Sequence, residues 1–306
     1  MTSPEDAPGS GREVEREPGP LQQAVDQVFS AAGPLSQADS QFAVRPSQLE
    51  MARAVARAIE DVKDLVVEAG TGVGKTFAYL VPLLLSGRRA LVSTATKSLQ
   101  DQLFLRDLPR LRAVLQMPVQ LALLKGRGSY LCLQRLEQAG QAIDGRDRWA
   151  VRALSRVQTW SLHTRTGDLA EVQGLDERSA VLPLVTSTRE NCLGSDCPQW
   201  NGCHVVRARR EAMAADIVVV NHHLFFADIA LRESEVAELL PTVDVAVFDE
   251  AHQLMEVGLQ FLGTSLGSGQ IIDLARDLLA AGLQHARGLR PWQELTSGLE
   301  LCARDL

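Results

Sequence analysis

The sequence predicts an α/β fold, a parallel sheet covered by helices on both faces. Three observations carry that expectation. From residue 65 onward, short apolar runs of strand length alternate with helical patterns; a glycine-rich turn separates the first run from the next helix; an acidic pair ends the last run. Strands buried on both faces read as near-continuous Val, Ile and Leu, whereas half-exposed antiparallel strands alternate with polar residues.

Residues 1–20 are rich in Pro, Gly and Glu and read as a disordered tail without the basic start and apolar run of a secretory signal. Leu21, Val25, Val28 and Phe29 recur at i, i+4, i+7 and i+8, the spacing of one helical face. Residues 47–59 form a second helical pattern, expected to open on a Ser47 cap. Leu65-Val66-Val67 then reads as a buried strand running into Ala69-Gly70-Thr71-Gly72-Val73-Gly74-Lys75-Thr76, and residues 76–85 as the helix that follows. Residues 89–94 predict a strand, 97–104 a helix and 121–124 a short strand; 217–220 and 243–248 resume the series. The intervening stretch from about 130 to 205 carries Trp149, Trp160, Trp200 and three closely spaced cysteines with little strand pattern, and reads as an insertion. Beyond Glu256, Ile271, Ile272, Leu274, Leu278 and Leu279 predict helix.

The chain has 306 residues, 45% of them hydrophobic and 23% charged, which is ordinary for a globular protein with a sizeable core. Its longest near-continuous apolar stretch, residues 78–85, is interrupted by Pro82 and falls far short of the ~20 residues of a membrane helix. No membrane association and a cytoplasmic location are therefore expected. A net charge of -7 argues against a nucleic-acid partner until it is located along the chain. Glu233, Glu235, Glu238, Asp244, Asp249, Glu250 and Glu256 fall in one stretch that has no Lys or Arg. Residues 97–135 hold Lys97, Arg106, Arg110, Arg112, Lys125, Arg127 and Arg135 against only Asp101 and Asp107, a local balance of +5. Arg207, Arg209 and Arg210 form a second basic group.

The glycine loop lies between a strand and a helix, the context in which backbone N–H groups and a helix N-terminus cradle phosphates. In such a loop, that of a P-loop NTPase, Lys75 reaches the β- and γ-phosphates of ATP and Thr76 places its hydroxyl on Mg²⁺. Gly70, Thr71, Gly72 and Gly74 complete the nucleotide-binding set. Asp249 and Glu250 end a strand, at the edge where open α/β sheets bind ligands. Asp249 is expected to hold Mg²⁺, and Glu250 to orient or deprotonate the attacking water. His252 is a candidate link between the nucleotide and nucleic-acid sides. Cys132, Cys192, Cys197 and Cys203 leave intervals of 59, 4 and 5 residues, which suits metal or cluster ligation in a reducing compartment better than disulfides. Four thiolates accept Zn²⁺ or an iron–sulfur cluster, and spacing alone leaves both open, although a triplet with one remote partner favours the cluster. His204 and the pair His222-His223 offer zinc ligands, but adjacent residues at a strand end point to opposite faces, so the pair reads as structural. Cys302 matches no pattern.

These residues, in this order, resemble the superfamily 2 helicases with an iron–sulfur domain, of the XPD and DinG type. Residues 67–76 resemble their motif I, and Asp249-Glu250-Ala251-His252 their motif II. Arg45 and Gln48, in Arg45-Pro46-Ser47-Gln48, resemble the adenine-reading Q motif. Ser93-Thr94-Ala95-Thr96-Lys97 and the residues to Leu103 are similar to motif Ia, whose strand-end hydroxyls contact the DNA backbone. Leu124-Lys125-Gly126-Arg127-Gly128-Ser129-Tyr130-Leu131-Cys132 resembles the entry to the cluster domain, residues 191–203 its exit, and Val220-Asn221-His222-His223-Leu224 the return to the motor core.

The resemblance implies a RecA-like domain over 21–125 and 206–256, an iron–sulfur insertion over 126–205, and the start of a helical arch domain over 257–306. It implies the four cysteines as [4Fe–4S] ligands and ATP-driven 5′→3′ translocation on single-stranded or forked DNA beside replication or repair proteins. It also implies a second motor domain with motifs III to VI, which this sequence does not contain, so an N-terminal portion of such a helicase is expected. Two other readings accompany it: an ATP- and DNA-binding module without turnover, and a zinc-stabilised NTPase.

Overall fold

The computed structural model describes residues 17–142, 147–176, 178–233, 239–264 and 266–305. Two compact units divide at residues 251 and 252. Nearly all of the expected tail, and Glu235 and Glu238 of the acidic stretch, lie outside the described residues.

In the first unit, helices α1 (Pro20–Val28), α2 (Pro34–Ala38) and α3 (Pro46–Asp61) each start on a proline. Proline suits the first helical position because its missing N–H would have no partner there. The cap of α3 is Arg45, not the expected Ser47, because Pro46 already fixes the entry. Gln48, Ala52, Ala56 and Ile59 form its buried face. Helix α4 (Lys75–Leu85) follows the glycine loop, and Leu80, Leu83 and Leu84 are almost wholly buried. Each such side chain stabilises the fold by roughly 1.5–3 kcal/mol relative to exposure.

Strand β1 (Ala90–Thr94) leads to α5 (Lys97–Gln102), one π-helical turn over Leu103–Asp107, and α6 (Leu108–Leu115). Strand β2 (Leu121–Leu123) precedes α7 (Leu133–Ala142), α8 (Arg148–Ser161) and α9 (Leu182–Val185). These last helices gather Leu131, Leu154, Val157, Leu169 and Val185 into a core of their own, where the strand pattern lapses. The chain then returns through α10 (His204–Ala214), β3 (Ile217–Asn221), α11 (His222–Glu233) and β4 (Val245–Phe248).

The four strands form one parallel sheet in the order β2-β3-β1-β4. Period-two geometry sends successive side chains to opposite faces. Ala90, Val92, Ile217 and Val219 therefore join α1, α3, α4 and α6 in one core, while Leu91, Val218 and Val220 join α10 and Leu224 of α11 in another. Parallel pairing also aligns the carboxyl ends of the strands, Thr94, Asn221 and Phe248 among them, along one edge.

One expected strand does not form. Leu65-Val66-Val67 lies outside every ladder, and Val66 is 96% exposed. A strand requires a hydrogen-bonding edge about 4.8 Å away; β4 is an outer strand of the sheet, and among the described residues its only ladder is with β1. Apolar character alone did not supply a partner.

The second unit comprises α12 (Leu254–Leu262), α13 (Ser268–His285) and α14 (Trp292–Arg304), consistent with the helical reading beyond Glu256. Helices α13 and α14 meet where a Cβ on Gly282 would collide with the Trp292 ring, whose Nε1–H donates to the Ala286 carbonyl at 2.9 Å. Ala gains about 1 kcal/mol over Gly in a helix, but overpacking costs about 1–3 kcal/mol. Gly282→Ala should therefore destabilise the hairpin, seen as faster hydrogen exchange over residues 268–304; unchanged or slower exchange would refute this contact. No helix among the described residues is long and apolar enough to cross a membrane.

Candidate functional site

The glycine loop stands at the carboxyl edge of the sheet, where α4 begins. Gly72 and Gly74 have φ of 79° and 88°, the left-handed region that excludes most side chains. Gly74 also has no room for a Cβ, because the Gln48 amide occupies that space and donates to the Gly74 carbonyl at 2.9 Å. The Arg45 guanidinium donates to the Gly72 carbonyl. Both residues thus grip the backbone of the loop. By contrast, nothing lies within 4 Å of where a Cβ on Gly70 or Gly72 would sit, so the loop faces open space.

The acidic pair meets the loop. Lys75 Nζ lies 3.7 Å from Glu250 Oε1, with both side chains about one-third exposed. Asp249 Oδ2 accepts from the Tyr79 hydroxyl at 3.3 Å. Burial, and then the neighbouring Glu250, push the Asp249 carboxyl above its ordinary range. Burial and Asp249 push the Tyr79 phenol well up, while a hydrogen bond with Thr76 opposes them. Tyr79 is a member of the site that pattern reading missed. Its signal is helical spacing, since i+3 from Thr76 and i+4 from Lys75 lie on one face of α4.

Glu250 has φ of 55°, left-handed for a residue with a Cβ. Such a conformation costs roughly 1–2 kcal/mol and persists only where the surroundings impose it. Here the Asp249 N–H donates to the Ser93 carbonyl at 2.9 Å, and the Glu250 N–H to Asp249 Oδ1 at 3.1 Å. His222 Nε2 lies 3.0 Å from the Asp249 carbonyl, and its Nδ1 lies 2.7 Å from Ser93 Oγ. A carbonyl only accepts, so Nε2 carries the proton, Nδ1 accepts, and the Ser93 hydroxyl donates. Burial holds the imidazole below its ordinary pKa. Sequence pattern reads His222 as structural and does not show what it holds.

In the strand-end loop after β1, Thr94 is buried and its hydroxyl donates to the Thr96 carbonyl. Thr96, Lys97 and Ser98 are the exposed residues there. The basic stretch 97–135 is less available than its net charge suggests. Lys125 is buried, with Nζ 2.6 Å from Asp101 and 2.6 Å from Asp168. Burial alone would lower its pKa, but the two carboxylates outweigh that and raise it. Arg110 pairs with Asp39 at 2.6 Å, and Arg106 with Asp107 at 3.0 Å. In the second group, Arg207 and Arg210 are both exposed, and Arg207 is 2.9 Å from His204 Nδ1.

All five cysteines are free thiols. Burial raises the Cys132 thiol, with smaller contributions from Cys197 and Cys203, and Arg209 lies within electrostatic reach of Cys192 and Cys203. Among the described residues no three His, Cys, Asp or Glu side chains are grouped tightly enough to hold a single metal ion.

Residues 46–143 match the DEAD/DEAH box helicase family. The chain is 50% identical over 255 residues to the ATP-dependent DNA helicase YoaA of Haemophilus influenzae, covering 83% of this chain and 40% of that protein. It is 48% identical over 280 residues to the YoaA of Escherichia coli, covering 90% and 44%. With the ATP-dependent helicase DinG of Mycobacterium tuberculosis it shares 41% identity over 236 residues, covering 69% and 34%. The chain thus spans less than half the length of these curated relatives.

Proposed function

We propose that this chain, which carries a DEAD/DEAH box helicase domain, binds ATP at the glycine loop and couples its hydrolysis to 5′→3′ movement on single-stranded or forked DNA. The observation that carries this reading is the convergence of Lys75 with Glu250 and of Tyr79 with Asp249, two sequence-distant halves meeting on one sheet edge. The left-handed Gly72 and Gly74 and the helix that follows them support a phosphate cradle, and the YoaA and DinG relatives are named ATP-dependent helicases.

In this reading the N–H groups of residues 70–76 hold the phosphates, and Lys75 exchanges Glu250 for the γ-phosphate. Arg45 and Gln48 hold the loop and read the adenine. Thr76 and Asp249 would hold Mg²⁺, which neutralises phosphate charge when bound. Glu250 orients the attacking water and accepts its proton.

We assign residues 21–125 and 206–256 to the RecA-like domain, 126–205 to a cluster insertion and 257–306 to the start of an arch domain. Cys132, Cys192, Cys197 and Cys203 are proposed to hold a [4Fe–4S] cluster, whose body lets four thiolates stand farther apart than a single ion does. The donor chemistry fits, but the grouping does not yet form a ligand cage, and no step of the reaction depends on it. Exposed Thr96, Lys97 and Ser98 together with Arg210 are the proposed contacts to DNA phosphates. Replication or repair proteins are the proposed partners, and the cytoplasm, where ATP and DNA meet, the proposed location.

The test is ATP hydrolysis by the chain purified without oxygen, with and without single-stranded DNA, beside Lys75→Ala. DNA-stimulated turnover that disappears in the variant is expected. Turnover unchanged in Lys75→Ala would overturn the reading, and tight ATP binding with no turnover would replace it by the binding module.

A further inference from the structure

We infer that His222 is a positioning residue that couples the strand-end loop of residues 93–96 to the Asp249–Glu250 pair. The inference rests on the proposed function, with ATP at the glycine loop and DNA at the strand-end loop, and adds to it the group that joins them. His222 follows the carboxyl end of β3, Ser93 lies near that of β1, and Asp249 follows that of β4. The order β3-β1-β4 means that one fully buried imidazole ties three adjacent strand ends together.

The peptide between Asp249 and Glu250 is held at its oxygen by His222 and at its nitrogen by Asp249 Oδ1. Fixing that plane fixes the reference from which Glu250 turns into its left-handed φ, and so where its carboxylate points. On the other side, the Ser93 hydroxyl donates to His222 three residues before the exposed Thr96. Thr96 is tied back to Thr94 through its carbonyl and caps α5 through its hydroxyl, which accepts from the Leu99 N–H at 3.2 Å. A ligand that shifts residues 93–96 therefore moves the imidazole, and the imidazole moves the peptide that aims Glu250. An apolar side chain of similar size fills the space without transmitting anything.

Coupling between two ligands is reciprocal and can be read without turnover. The affinity of a fluorescent ATP analogue is measured with and without oligo-dT, and that of oligo-dT with and without nucleotide. Wild type is expected to show a coupling factor of roughly 5–150 in both directions, falling toward about 1 in His222→Leu while each separate affinity stays close to wild type. His222→Gln, whose amide can donate to the Asp249 carbonyl and accept from Ser93, is expected to restore most of it. Ser93→Ala, which removes the donor to Nδ1 and leaves the imidazole, should lose coupling in the same direction and decides the matter if His222→Leu does not fold.

Retained coupling in His222→Leu or, failing that, in Ser93→Ala would overturn the inference alone. So would a His222→Gln variant as uncoupled as the Leu variant, or wild type binding both ligands without coupling. A wild-type chain that binds neither ATP nor DNA overturns the proposed function and this inference with it.

Discussion

Glu250→Gln is expected to lower ATP turnover by about 10²–10⁴-fold, the usual contribution of a positioned acid–base group, while raising affinity for ATP. The two effects have separate causes. Turnover falls because an amide cannot take the proton of the attacking water. Affinity rises because Lys75, now 3.7 Å from the Glu250 carboxylate, no longer has to leave a charged partner, and the phosphates no longer face that negative charge. The lost ion pair is about one-third exposed and matters little to stability. Single-turnover hydrolysis and equilibrium binding of an ATP analogue, both with single-stranded DNA present, read the two effects. A misfolded variant would lose both, so the opposite signs identify the mechanism; unchanged turnover would remove Glu250 from the chemistry.

Lys125→Met should destabilise the first unit by about 3–5 kcal/mol. The substitution keeps most of the length of the side chain but removes the charge that Asp101 and Asp168 share, each 2.6 Å from Nζ. Two partly buried carboxylates would then face each other. Asp101 belongs to α5, and Asp168 to the segment whose neighbours fill the separate core around Leu169. The break should therefore loosen the cysteine-bearing region from the sheet edge. Chemical denaturation gives the magnitude, and Lys125→Met with Asp168→Asn should recover part of it through their shared contact. A loss below about 1 kcal/mol, ordinary for a surface pair, would show that the triad is solvated after all.

The elements legible in the sequence are those with a local mechanism. The glycine loop declares itself through residues within one turn of each other, and the strands β1, β3 and β4 through runs of apolar residues. The acidic pair follows from its place after such a run. Leu65-Val66-Val67 has the same apolar wording, yet wording carries no information about whether a sheet edge is there to receive it. Lys125 adds to the basic balance of residues 97–135, yet charge along a chain says nothing of ion pairs with partners 24 and 43 residues away in sequence. Tyr79, Ser93 and His222 were harder still. Tyr79 stands alone between Ala78 and Leu80, while Ser93 and His222 sit beside other polar residues at strand ends; none has a period to announce it, and the significance of each comes from a partner 129 or 170 residues distant.

The parallel sheet also dictates an order of events in time. Arg89, at the start of β1, meets Asp244, at the start of β4, across 155 residues of chain. At the roughly 5–20 residues per second of synthesis, the central strand waits on the order of 8–30 s for that neighbour. Pairings so distant close slowly. The helices packed around α4 can assemble within that interval, as they lie close together in the chain, so the nascent protein would hold a helical platform with an open strand before the ribosome delivers the residues that complete the sheet.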